Sequence, residues 1–162
     1  MLAAVVAASG TAAAIDLRTG RIPNLLTAPV AAAGLGLAAF GLTGHSMAGA
    51  LVGAVLGFVL MLPGHLFGGT GAGDVKLLAA LGTWLGPGGV LMAFLYSAIA
   101  GGLLAVAHAV QRRRLGTTLS RTARLVAARE GAKHEIDGSA AASRFAYGPA
   151  LAVGAIAAAL LV

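Results

Sequence analysis

Four stretches of this chain, residues 1–15, 22–73, 77–111 and 145–162, contain no Asp, Glu, Lys or Arg. A helix that crosses the hydrocarbon of a bilayer needs about 20 consecutive apolar residues. Residues 22–73 therefore have room for two crossings, and 77–111 for more than one. A soluble domain is about a quarter charged, whereas this chain is 10% charged and 59% hydrophobic. The expectation is an all-α, polytopic membrane protein, a single domain over residues 1–162 with no separate soluble unit.

The spans expected from the apolar runs are 2–15, 25–42, 47–67, 74–85, 90–110 and 147–162. The first has no basic residue before it. Arg18 and Arg21 follow it instead, the reverse of a secretory signal, so it reads as a retained helix. The fourth, at roughly 18 Å of helix, is short for a crossing. Parity argues that it crosses all the same. If it does, the basic residues at 18, 21 and 76 and the eight between 112 and 144 lie on one side, as the positive-inside tendency favours. The result is a bundle of six transmembrane helices, with both termini outside. Residues 111–144 form a short basic cytoplasmic insertion between helices five and six. Within it Leu119, Thr122, Ala123 and Val126 recur at helical spacing, with Arg121, Arg124 and Arg129 largely off that stripe. This suits a helix lying on anionic lipid headgroups. The net charge of +6 is thus a matter of topology and lipid, with no nucleic acid implied.

Of five acidic residues, Glu130, Glu135 and Asp137 fall in the hydrated insertion. Asp16 and Asp74 each sit where a polar turn meets an apolar span, and the topology puts both at the cytoplasmic face. Ionisable groups at such depth are costly and mark function. Of two carboxyl groups that share a site, one keeps its proton while the other stays a base. Such a pair can activate water and polarise a peptide carbonyl. The chain has no cysteine, which removes thiol catalysis and Cys-ligated metals, and no metal or other cofactor is expected. The glycines at 71 and 73 would let an extended substrate approach Asp74, or would serve helix packing as small residues do in membranes.

The segments Asp16-Leu-Arg-Thr-Gly-Arg-Ile-Pro-Asn24 and Gly71-Ala-Gly-Asp-Val-Lys-Leu-Leu-Ala-Ala-Leu-Gly82, with Trp84-Leu-Gly86 and Phe145-Ala-Tyr-Gly-Pro-Ala150 after them, resemble the type IV prepilin peptidases. These are intramembrane aspartic proteases of the G-x-G-D kind. The resemblance implies catalytic roles for Asp16 and Asp74. It implies cleavage of prepilin-like precursors, whose short basic leader is cut at the cytoplasmic boundary. Larger members of that family carry a Cys-ligated zinc insertion and methylate the new N-terminus. Here Asp16 follows Met1 closely and cysteine is absent, so the expectation is peptidase activity alone, of the short kind that serves tight-adherence (Flp-type) pili.

Supporting roles fall to Gly71, Gly73, Lys76 and Asn24. Lys76 would steer charge near Asp74 or reach to the headgroups. Asn24 would hold the Asp16 turn or cap the second helix. Tyr147, Gly148 and Pro149 would line the mouth of the site or only begin the last helix. His45, His65 and His108 lack the spacing of a metal site. On residues alone, a small ion-coupled transporter using the same carboxylates stays open, as does a scaffold without catalysis.

Overall fold

The computed structural model describes residues 2–111 and 147–161. From residue 112 onward the expected basic insertion lies outside the described residues, and so does its amphipathic stripe. Among the described residues every regular element is helical: α1 (Leu2–Thr19), α2 (Asn24–Ala39), α3 (Met47–Leu66), α4 (Ala72–Gln111) and α5 (Gly148–Leu161). Three of them, α1, α3 and α4, are long and apolar enough to cross a membrane, while α2 and α5 are shorter apolar helices.

The helix ends follow from local chemistry. α1 runs past its expected end at residue 15 and stops at Gly20. This residue takes a left-handed φ of 64° and donates its N–H to the Asp16 carbonyl at 2.8 Å. Glycine adopts that conformation without the Cβ penalty. Asp16 therefore belongs to the last helical turn and not to the polar loop. α3 starts at Ser46, whose hydroxyl oxygen accepts the Gly49 N–H at 3.2 Å, an N-cap that satisfies one of the orphan donors. Pro23 holds the N-cap position of α2 at φ −73° and ψ 147°.

The fourth helix differs from expectation at its middle. The sequence predicts a turn over residues 86–89, yet only Gly86 leaves helical geometry, with φ 66° and ψ −175°. That one residue reverses the chain. A Cβ built on Gly53 would meet the Gly82 carbonyl oxygen, and would lie 3.0 Å from the carbonyl carbon of Gly86. One turn further, a Cβ on Gly57 would lie 2.6 Å from the Leu78 carbonyl oxygen and 3.1 Å from the Val90 side chain. In a straight helix residues 78 and 90 stand about 18 Å apart. Because both border Gly57, the two arms of α4 fold back on each other.

The first arm lies at the centre of the bundle. Leu77, Leu78 and Leu81 are fully buried, packed with Val5, Met61 and Leu151 from the other helices and with Val90 from the second arm of α4. A helix encircled by others needs no lipid-facing surface, which fits its shortness. Glycines bring the backbones together: Gly53 against Gly82, and Gly154 against the Ser97 hydroxyl. Close approach of this kind is how helices associate without a hydrophobic drive between them. Polar ties to the end of this arm add to the packing. The Trp84 indole N–H donates to the Val30 carbonyl at 2.8 Å, and His45 Nε2 lies 3.1 Å from the Thr83 carbonyl. The outside of the bundle is apolar, with Leu51, Val55, Phe58, Leu95, Ile99 and Val153 all exposed. An apolar exterior of this extent suits lipid.

Candidate active site

The two aspartates arrive from different helices and are both buried, Asp16 at 6% and Asp74 at 4% exposure. Asp16 is fixed by the termination of α1. Its Oδ2 accepts the Gly148 backbone N–H at 2.9 Å. That amide belongs to the first residue of α5, where the unpaired N–H groups and the helix dipole favour a negative charge. A Cβ on Gly148 would lie 2.7 Å from Asp16 Oδ2 and 2.8 Å from its Cβ. Glycine is required there for α5 to approach.

Asp74 lies in the first turn of α4. Its Oδ2 accepts the Gly71 N–H at 2.9 Å, and its own N–H donates back to the Gly71 carbonyl at 3.1 Å. A side chain reaching back to an N-cap amide is half of an ordinary capping box, and helix capping alone accounts for Oδ2. It does not account for Oδ1, which is buried and has no hydrogen-bond partner among the described residues. Buried polar atoms are nearly always paired. An unpaired carboxylate oxygen of this kind is free to take a water or a substrate group.

The loop after Asp16 closes onto the glycine turn before Asp74. Ile22 is buried, and a Cβ on Gly73 would stand 2.8 Å from Ile22 Cβ and 3.1 Å from its backbone N and O. The space over Gly73 is thus filled by the protein's own loop and is not left for a substrate strand. Gly71 is exposed. The two sequence motifs are packed against each other, and Asp16 lies within coulombic range of Asp74. His65 also lies within range of Asp74, as does Tyr147. The Tyr147 ring packs over Gly101, whose Cβ would lie 3.1 Å from the ring Cζ.

Lys76 and Asn24 meet each other and not the carboxylates. Lys76 Nζ donates to Asn24 Oδ1 at 3.0 Å, which ties the start of α2 to α4. Asn24 does not cap α2, since that helix has Pro23 at its N-cap and no side-chain cap bond. The pair stands at one end of an open, apolar groove of about 410 Å³, bounded along its length by Ala28, Ala31, Phe58 and Ala79. Neither aspartate lines it. Among the described residues no group of three or more His, Cys, Asp or Glu side chains could hold a metal ion.

Sequence reasoning named Gly148 only as a residue of the site's mouth, and it missed His65. The imidazole Nδ1 lies 3.1 Å from the Thr70 carbonyl oxygen. A histidine in the last turn of α3, five residues before that threonine, was the available signal. It pointed only to the end of a helix.

The profile of the type IV leader peptidase family matches residues 3–106 of this chain. Proteins described as prepilin leader peptidase/N-methyltransferase from two strains of Burkholderia pseudomallei, 1026b and K96243, are 43% identical over 95 residues. The match covers 54% of this chain and 30% of each relative, so the chain spans under a third of their length. No solved structure matches it. The family match takes in both aspartates, the loop after the first and the glycine turn before the second, the elements that the fold packs together. The chain is an integral membrane protein belonging to the type IV leader peptidase family.

Proposed function

We propose that this protein is an aspartic endopeptidase that removes the short basic leader from prepilin-like precursors at the cytoplasmic face of the membrane, with Asp16 and Asp74 as its catalytic pair. The observation that carries the reading is the Asp74 carboxyl group: buried, anchored by one amide through Oδ2, with Oδ1 unpartnered among the described residues, and within range of a second buried carboxyl group.

Asp16 holds its orientation from the Gly148 amide at the start of α5. In the hydrolytic step the charged carboxylate takes a proton from water as the oxygen attacks the scissile carbonyl carbon. The protonated partner gives its proton to the carbonyl oxygen. Collapse of the tetrahedral species then breaks the C–N bond, and the leaving amine takes a proton from the pair. No metal or thiol is needed.

The reading carries a topology with it. α1, α2, α3, the two arms of α4 and α5 make six crossings, with both termini outside and the insertion at 111–144 in the cytoplasm against anionic headgroups. The α1–α2 loop and the glycine turn before α4 then share the cytoplasmic face with the substrate's leader. The short tight-adherence (Flp-type) pilus systems are the setting that this arrangement suits.

The test incubates purified protein in detergent with a prepilin carrying its leader, and locates the cut by mass spectrometry. Asp16→Asn and Asp74→Asn are each expected to abolish cleavage while the helical circular dichroism stays unchanged. A variant that keeps full activity removes that aspartate from the mechanism.

A further inference from the structure

Among the described residues the only hydrogen bond to the Asp74 carboxyl group comes from the Gly71 N–H, so whatever aims that N–H also aims Asp74. The N–H belongs to the peptide unit whose carbonyl is that of Thr70. A peptide unit is planar and trans, so its C=O and N–H point in opposite directions and turn together. The Thr70 carbonyl is held in turn by the imidazole of His65, with Nδ1 at 3.1 Å from the oxygen. One rigid amide is therefore gripped from both ends, by a histidine on one side and by Asp74 on the other.

We propose that His65 is a positioning residue for Asp74, acting through the Thr70–Gly71 peptide. A carbonyl oxygen only accepts, so the proton of this contact sits on Nδ1. Donation to the carbonyl does two things. It fixes the rotation of the amide plane, and it polarises the amide so that its N–H becomes a better donor to Asp74 Oδ2, the cooperative strengthening of linked hydrogen bonds. The rest of the turn is anchored to the same helix end. Gly64, next to His65, accepts with its carbonyl the Gly69 N–H at 2.9 Å and the Thr70 N–H at 3.2 Å. Thr70 thus has both its backbone groups bound to the last turn of α3. Of these bonds only the one from His65 uses a side chain, so it alone can be removed by substitution without altering the backbone. His65 is exposed, so water competes for the carbonyl and the effect is moderate.

This inference rests on Asp74 being catalytic, and the experiment separates the two. Cleavage of a prepilin is measured with the full chain in detergent for His65→Ala, His65→Asn and His65→Gln, beside Asp74→Asn. In His65→Ala the expected result is a kcat lowered about fivefold, the worth of roughly one net hydrogen bond. KM and the thermal unfolding midpoint stay near the starting values. Asparagine carries an N–H at the place of Nδ1, one bond from Cγ, and is expected to restore most of the kcat. Glutamine puts its amide one bond further out, as Nε2 lies, and is expected not to. Full activity of His65→Ala, or equal loss in His65→Asn and His65→Ala, overturns the positioning role. A lowered unfolding midpoint that tracks the lost activity makes the contact structural and overturns it as well. If Asp74→Asn itself cleaves normally, the catalytic reading fails first.

Discussion

A single methyl group at position 148 tests how tightly Asp16 is held. The Gly148 amide reaches the carboxylate only because no side chain stands between them. An added Cβ would be 2.7 Å from Oδ2 and 2.8 Å from the aspartate's own Cβ, well inside contact distance. Gly148→Ala is expected to lower the cleavage rate about a hundredfold, the scale at which a misplacement near 1 Å is felt. Helix content should hold, because alanine is the better helix former. A rate assay beside circular dichroism checks this, and an unchanged rate would mean that Asp16 tolerates displacement. Asp74 is arranged differently. Its anchor is local, three residues back along its own helix start, and its second oxygen is left free. One carboxyl group is thus set by a long-range contact between the first and last helices, and the other by the turn that precedes it.

At the scale of elements, the site depends on helices that touch backbone to backbone. α3 and the first arm of α4 meet at Gly53 and Gly82, where a Cβ on either would strike the carbonyl of the other. Such contacts let the central arm carry Asp74 while Leu77, Leu78 and Leu81 stay fully buried. Gly82→Val forces the two helices apart, and overpacking of this kind costs about 1–3 kcal/mol. The expected outcome is a lower thermal unfolding midpoint in detergent, with activity lost only in proportion to the unfolded fraction. Activity lost from fully folded protein would instead tie Gly82 to the chemistry. The reversal at Gly86 is the other element-level device. Its φ of 66° lies in the left-handed region that glycine takes readily, and one residue does the work expected of a four-residue loop.

For the whole molecule, the proposed six-crossing arrangement makes a clear labelling prediction. The chain has no cysteine, so a single introduced thiol reports its own side of the membrane. Gly44→Cys, in the α2–α3 connection, is expected to react with an impermeant maleimide on intact cells. Gly69→Cys, in the turn before α4, is expected to react only after permeabilisation. The same accessibility for both would break the topology on which cleavage at the cytoplasmic face depends.

Much of this was legible in the order of residues. Charge-free runs separated by Arg18, Arg21, Asp74 and Lys76 announce membrane helices and their breaks, because burying charge in hydrocarbon is too costly to happen by accident. The two acidic residues outside 111–144 could be picked out for the same reason, and the motifs around them carried the family. Helix ends were less legible, as the extension of α1 to Thr19 and the single-residue break at Gly86 show. Glycine marks a turn in sequence without saying how many residues the turn takes. What only the tertiary structure decided is who meets whom: Gly148 with Asp16, Ile22 with Gly73, Asn24 with Lys76, and His65 with the amide that holds Asp74. Hydrophobicity and charge act on each segment alone and so can be read along one dimension. Contacts between helices depend on which faces the packing turns toward each other, and no local pattern records that.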